Sequence, residues 1–335
     1  MLFPCRLCLM NTQKPSFAAP RVVRPDEAGA RADRFITHLF PYLGYGSVQK
    51  LLRLGKIKVD GKKLRAADTL LAGQTLTFYF APKERDEARL PASRRKTPPD
   101  SALVARLSSA VLFEDDALLV VNKPQGLATQ AGVNTRMSLD RLADARAGGA
   151  YAPRLTHRLD QDTSGVIILA KTREMAAYLT RAFKERNVEK TYLALVVGEM
   201  REKKGQWDWD MGKDTGPRQE KMSVDAPESV PAVTRFEVLE KRHGLTLLRL
   251  TPLTGRKHQI RVHCAHAGYP IVGDGKYGGA KAHPFDGRTP LCLHAWSISF
   301  TDSQGRARTF HAPMPEVLLQ LLTDNGFTPL HKEHP

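Results

Sequence analysis

No stretch of this 335-residue chain approaches the roughly 18 consecutive apolar residues of a membrane-spanning helix, and none reads as a long basic amphipathic helix. A bilayer is therefore set aside as the partner. Cysteine is scarce: Cys5, Cys8, Cys264 and Cys292 are too few and too scattered for a disulfide framework, which points to a reducing compartment. Cys5 and Cys8 have zinc-like spacing, yet no second pair follows at a matching distance, so no metal is assigned. Acidic residues are in deficit, 35 Asp and Glu against 51 Lys and Arg, and the net charge of +16 makes a polyanion the natural partner. With membranes excluded, nucleic acid leads. No period of about 20 to 50 residues marks a repeat array.

Composition divides the chain. Residues 1–20 hold Arg6 and Lys14, no acid, and an apolar stretch broken by Pro4, Arg6 and Asn11, a poor secretory signal. They are expected to be a disordered extension; a start at Met10 and an organelle-transit role are the alternatives to a plain cytoplasmic protein. Residues 21–80 predict a compact module. A helix is expected over Ala32 to Leu39 and a second over Ser47 to Leu54, where Val48, Leu51 and Leu52 recur at helical spacing, Ser47 is a cap and Gly55 a stop. Ile57 to Val59 reads as a strand, Asp60-Gly61 as a tight turn, and Thr75 to Phe80 as a closing strand. Gln49, Lys50, Arg53, Lys56, Lys58, Lys62, Lys63 and Arg65 concentrate positive charge there, either as a solvated face or as an RNA-binding one. The runs Arg31-Ala-Asp-Arg-Phe-Ile and Ser47-Val-Gln-Lys-Leu-Leu-Arg-Leu-Gly-Lys-Ile-Lys-Val-Asp-Gly-Lys62 resemble the ribosomal-protein-S-four-type RNA-binding module. One departure is the turn Gly44-Tyr45-Gly46-Ser47, where that module usually carries an Arg.

Residues 81–108 read as a flexible linker, mixing charges with Pro82, Pro91, Pro98 and Pro99 and having little to bury. Residues 109–330 mix helices with short apolar strands: Val111 to Phe113, Leu118 to Asn122, Val166 to Ala170, Tyr192 to Val197, Val233 to Glu240, Leu245 to Thr251 and Ile298 to Phe300. A single α+β domain is expected. Its sharpest segment is the polar loop His157-Arg-Leu-Asp-Gln-Asp-Thr-Ser-Gly165, set directly before the buried-strand run Val166 to Ala170. Such a loop presents side chains at the rim of the core, where a ligand reaches them. Asp160, Asp162, Thr163 and Ser164 are also ordinary turn formers.

The run His157-Arg-Leu-Asp-x-x-Thr-Ser-Gly-x-x-x-x-Ala-Lys171 resembles the signature of the RluA-type pseudouridine synthases. Three further blocks are similar to that family: Glu189-Lys-Thr-Tyr-Leu-Ala-Leu-Val196, Pro252-Leu-Thr-Gly-Arg-Lys-His-Gln-Ile-Arg-Val-His263 with Gly268-Tyr-Pro-Ile-Val-Gly-Asp274, and Leu293-His-Ala295. The resemblance implies a mixed, mostly antiparallel sheet in the catalytic domain and an enzyme that isomerises uridine to pseudouridine in structured RNA. Large-subunit ribosomal RNA is the expected substrate, transfer RNA the alternative.

It also implies roles. Asp160 becomes the catalytic carboxylate, attacking the uracil ring, attacking the anomeric carbon or removing a ribose proton, three routes the residues leave open. Tyr192 becomes the active-site tyrosine that stacks on the base, and Arg261 the basic partner of Asp160, projecting near a helix start capped by Thr254. Arg158 enters the space left by the flipped base. His157, Thr163, Ser164, Lys123 (in Val120-Val-Asn-Lys-Pro-Gln-Gly126), Arg256 and Gln259 complete the expected substrate-binding set. Asp162 is rejected as an acid/base partner, because neighbouring loop positions do not put two carboxyls on opposite sides of a bond. His258, His263 and His266 are rejected as metal ligands on spacing. The reaction is redox-neutral and takes no group from outside, so no cofactor is expected, and a monomer suffices. The rival functions are a non-catalytic RNA-binding or ribosome-assembly factor, and a glycosidase that would release free uracil.

Overall fold

The computed structural model describes residues 19–40, 43–80, 101–131, 137–214, 221–224, 226–285 and 289–328. The chain forms two compact units, Met1–Thr97 and Pro98–Pro335. Among the described residues, no helix is long and apolar enough to cross a membrane.

In the first unit, strand β1 (Arg21–Val22), helices α1 (Ala32–Leu39) and α2 (Tyr45–Arg53), and strands β2 (Ile57–Val59), β3 (Lys62–Lys63) and β4 (Thr75–Phe78) make a four-stranded sheet of order β1-β4-β2-β3 with two helices. Apolar residues at helical spacing on α1 (Ala32, Ile36) and α2 (Val48, Leu52) are buried with Ile57, Leu76 and Phe78 from the sheet. The hairpin turn is Asp60-Gly61, both at positive φ (47° and 74°), the geometry that matches the twist of paired strands. Two boundaries differ from expectation. Helix α2 begins at Tyr45, because the Gly44 carbonyl already accepts from the Ser47 and Val48 amides; the cap is Gly44, not Ser47. The closing strand ends at Phe78 rather than Phe80.

Residues 1–18 and 81–100, with Cys5, Cys8 and most of the expected linker, lie outside the described residues. The linker's end is corrected: Ser101–Ser109 forms a helix, α3, whose Leu107 is buried in a core cluster of the second unit.

In the second unit, a ten-stranded sheet runs β10 (Lys204–Asp208), β13 (Val233–Arg242), β14 (Leu245–Pro252), β9 (Val188–Val197), β15 (Leu293–Thr301), β8 (Ser164–Ala170), β6 (Leu118–Lys123), β5 (Val111–Glu114). Strand β7 (Arg154–Leu155) pairs with β8, and β16 (Ala307–His311) with β15; a separate ribbon pairs β11 (Met211–Asp214) with β12 (Lys221–Val224). The seven strands read from the sequence all exist. Five others were not expected: β7 is only two residues long, and the charged and small residues of β10, β11, β12 and β16 carry no apolar alternation.

The central strand β8 is buried throughout, and apolar from Val166 to Ala170, because both of its faces are covered. Val166, Ile168 and Ala170 pack with Leu179 and Ala182 of α5 (Arg173–Lys184), whereas Ile167 and Leu169 pack with Leu107 of α3 and Leu139 and Leu142 of α4 (Leu139–Ala147). Strands β8 and β15 make the parallel pair of the sheet, in register at Ser164 with His294 and Gly165 with Ala295. There Gly165 sits at φ +116°, and a Cβ on it would stand 2.1 Å from the Ala295 carbonyl oxygen. This close approach seats the start of β8, and with it the preceding loop. Gly165→Ala is expected to destabilise the fold by more than about 3 kcal/mol, since backbone rather than a yielding side chain must move; urea unfolding of the variant against the parent checks this.

Candidate active site

The loop between β7 and β8 is pinned by its backbone from the segment that follows β6. Lys123, whose side chain is fully buried, donates from Nζ to the carbonyls of Pro124 (2.9 Å), Leu127 (2.7 Å) and Gln161 (3.0 Å). The Gly126 amide also donates to the Gln161 carbonyl (3.0 Å), and Gln125 Nε2 to that of Asp162 (2.9 Å). Thr129 grips Leu159 twice: its Oγ1 donates to the Leu159 carbonyl (2.6 Å) and accepts from the Leu159 amide (3.1 Å). Leu159 itself is buried beside Ile167 and Leu169. Every neighbour of Asp160 is thus spoken for, while the Asp160 carboxylate makes no hydrogen bond among the described residues and keeps about 20% of its surface exposed.

That carboxylate opens onto a cleft of about 1130 Å³, larger than the roughly 300 to 1,000 Å³ of small-ligand pockets. Tyr192, from β9, lines the same cleft. Burial, and then the charge of Asp160, push the Tyr192 phenol well above its ordinary pKa, so it stays protonated at neutral pH. Cations dominate the lining: Arg158, Lys184, Arg186, Lys190, Arg235, Arg256, Lys257, Arg261 and Arg308 face only Asp160 and Glu189 of opposite sign. Arg158 is exposed and makes no ion pair or hydrogen bond among the described residues.

Arg261 lies on helix α6 (Gln259–His266), buried, and holds Asp274 through two hydrogen bonds, Nε to Oδ2 (2.8 Å) and a terminal nitrogen to Oδ1 (2.7 Å). Its direct partner is therefore Asp274 rather than Asp160, whose charge reaches it only at longer range. Thr254 does not cap α6. Its Oγ1 accepts from the Val233 amide (2.9 Å) and donates to Gln259 Oε1 (2.7 Å). The residue that precedes the helix is His258, at φ 57°, a left-handed conformation that costs a side-chain-bearing residue about 1 to 2 kcal/mol. Its Nε2 stands 3.8 Å from Asp160 Oδ1 and its Nδ1 is 2.6 Å from Tyr277 Oη.

Three other expected substrate contacts have their polar groups committed within the protein, and a fourth, His157, has one ring nitrogen so committed. Lys123 shapes the loop, and burial lowers its pKa to about 8 against the pull of Asp162 and Asp160. Ser164 belongs to β8, its hydroxyl paired with His294 Nδ1 (2.9 Å), and does not line the cleft. Gln259 accepts from Thr254 and the Arg256 amide and donates to the Val233 carbonyl and Thr234, which exhausts its amide. His157 lines the cleft, but its Nε2 accepts from the Ile168 amide (3.0 Å) and its ring stacks on Phe183. Arg256 and Thr163 line the cleft as expected. Thr129, Asp274 and Tyr277 were missed. Asp274 closes the Gly268 to Asp274 block, and its spacing from Arg261 was the available signal. Among the described residues, no three His, Cys, Asp or Glu side chains gather as a metal site.

The sequence pattern that defines the RNA pseudouridylate synthase family matches residues 117–266, a span that includes the Asp160 loop, Tyr192 and Arg261. Over 308 residues the chain is 33% identical to "Ribosomal large subunit pseudouridine synthase C" of Vibrio cholerae serotype O1, covering 89% of this chain and 94% of that protein. The chain belongs to the RNA pseudouridylate synthase family. A protein of the same name from Escherichia coli K12 is also 33% identical, over 328 residues, with 93% and 98% covered. The solved structure of "Human RNA Pseudouridylate Synthase Domain Containing 4" is 26% identical, with a TM-score of 0.56, and covers 66% of this chain and 95% of its own.

Two predictions concern how this pseudouridine synthase holds its site. Asp274→Asn leaves the Arg261 guanidinium, 9% exposed, without its counter-charge, and is expected to cost about 3 to 5 kcal/mol of stability, measurable by urea unfolding. Burial also drives three imidazoles down from 6.5: His157 to about 3, His263 to about 4 and His294 to about 4. The unfolded chain then binds more protons than the folded one below 6.5, so stability falls as pH drops. The unfolding midpoint should be level above about pH 6.5 and decline between 6.5 and 5, before the carboxylates contribute; a flat profile across that window contradicts the assignment of buried neutral histidines.

Proposed function

We propose that this enzyme isomerises specific uridines of large-subunit ribosomal RNA, with Asp160 as the catalytic carboxylate. The observation that carries the assignment is a loop whose backbone is tied at Leu159, Gln161 and Asp162 while the Asp160 carboxylate stays unbonded at the wall of a cationic cleft. Pseudouridylation breaks the N-glycosidic bond, turns the uracil and rejoins it through carbon to the same ribose. A carboxylate held in one place and left without a hydrogen-bond partner supports attack on the ring or the anomeric carbon, or removal of a ribose proton.

The remaining groups act around it. Tyr192, kept protonated, is a stacking surface for the uracil and a proton donor rather than a base; stacking is worth about 1 to 3 kcal/mol. That helps offset the few kcal/mol, roughly, of extracting a base from a helix. Arg158, exposed and unpaired among the described residues, fills the gap the base leaves. Arg261 and the other cleft cations supply the field for a phosphate backbone, and no step calls for an external redox or group-transfer partner.

The first unit serves as an RNA-docking module of the ribosomal-protein-S-four type. Lys50, Arg53, Lys56, Lys62 and Lys63 are exposed there, and Lys58 stands directly opposite Lys63 across the hairpin. Like charges so paired repel, a cost that a polyanion relieves. Gln49 contributes less, because its amide donates to Asp33 (3.3 Å). A ribosomal RNA substrate fits a cytoplasmic location, with an organelle matrix as the alternative.

The test is pseudouridine mapping of total RNA from cells carrying the parent, Asp160→Asn, or a deletion of residues 21–80. The Asn variant should bind RNA yet modify its targets at least about 10³-fold more slowly, and the deletion should weaken or broaden targeting. A fully active Asn variant removes Asp160 from the mechanism, and release of free uracil favours a glycosidase.

A further inference from the structure

Among the described residues, the ionisable side chain at ion-pair distance from the Asp160 carboxylate is His258, not Arg261. The imidazole is itself held from behind. Its Nδ1 meets Tyr277 Oη at 2.6 Å, and the same phenol oxygen accepts from the Met222 amide at 3.4 Å. With its oxygen already accepting from the Met222 amide, the phenol has its proton to offer, and the arrangement favours Nδ1 as the acceptor. In that tautomer the one proton of a neutral imidazole sits on Nε2, the nitrogen that faces Asp160. Neutrality follows from the surroundings: burial lowers the His258 pKa, Asp160 opposes, and Arg261, Lys276 and Lys257 add to the lowering.

The backbone adds a second observation. His258 adopts φ 57° and ψ 20° where glycine or asparagine would sit with less strain, and that conformation is what aims its ring at the loop carrying Asp160.

We propose that the Tyr277–His258 couple is the positioning device for Asp160: Tyr277 selects the tautomer, and the Nε2–H closes onto Oδ1 when the flipped base fills the cleft, holding the carboxylate in one rotamer. This rests on the assignment of Asp160 made above. At 3.8 Å the contact is too long for a hydrogen bond, as such contacts commonly are before substrate binds. Arg261 acts one step further back, with its hydrogen bonds given to Asp274.

The experiment compares full-length His258→Asn, His258→Gln, Tyr277→Phe and Asp160→Asn in single-turnover modification of unmodified large-subunit ribosomal RNA transcript, with RNA affinity and unfolding midpoint measured alongside. Asn suits the left-handed backbone, so His258→Asn should fold as well as the parent, but its amide nitrogen falls at the Nδ1 position, short of Asp160. Its rate should drop about 10- to 100-fold with RNA affinity unchanged. Gln carries an amide nitrogen to the Nε2 position and should recover much of that loss. Tyr277→Phe keeps the ring under Arg261 and frees the tautomer, so a smaller drop of about three- to tenfold is expected. The inference is overturned by a His258→Asn rate within about threefold of the parent, or by His258→Gln being as slow as His258→Asn. An active Asp160→Asn enzyme would instead sink the Asp160 assignment beneath it; an inactive one beside a fully active His258→Asn sinks the present inference alone.

Discussion

The buried ammonium of Lys123 donates to three backbone carbonyls, one of them in the loop that precedes the central strand. A charge sealed among carbonyl dipoles is costly unless each proton has a partner, and here each has one, so the two segments are locked in one relative geometry. Thr129 and Gln125 extend the same clasp to Leu159 and Asp162. What it leaves out is as informative as what it holds: the clasp takes backbone groups of the loop, and among the described residues the Asp160 carboxylate, like the Arg158 guanidinium, is not drawn into the protein's own hydrogen bonding. The role proposed for Asp160 needs a fixed origin and an unspent lone pair, and the clasp supplies the first without consuming the second.

The electrostatics follow the same division. The strong bidentate pair, Arg261 with Asp274, is buried and satisfied, and so fixes α6 against the loop after it rather than neutralising Asp160. Asp160 is left to a neutral imidazole at 3.8 Å and to the broader positive field of the cleft. A direct guanidinium pair would occupy the carboxylate oxygens that the role proposed for Asp160 calls on.

Motif positions were legible from the chain because their chemistry is local. A polar loop abutting the apolar run Val166 to Ala170 marks a core rim, and the helix spacing of Val48, Leu51 and Leu52 marks a buried face. The apolar strands were likewise visible, though β9 and β15 begin four and five residues earlier than read, whereas β7, β10, β11, β12 and β16 were not, since short, edge and ribbon strands carry polar residues whose pairing is set by partners far away.

By itself, the sequence determined the family, the α+β class, the basic character and the short set of residues that crowd one cleft, all encoded in composition or in contiguous runs. Only the tertiary structure decided which of those residues face a ligand and which serve as scaffold. Lys123, Ser164 and Gln259 turned inward, and Arg261 took Asp274 as its partner instead of Asp160. The reason is that a side chain's role depends on which donors and acceptors lie within about 3 Å of it, and residues as far apart as Ser164 and His294 become neighbours only when the sheet assembles.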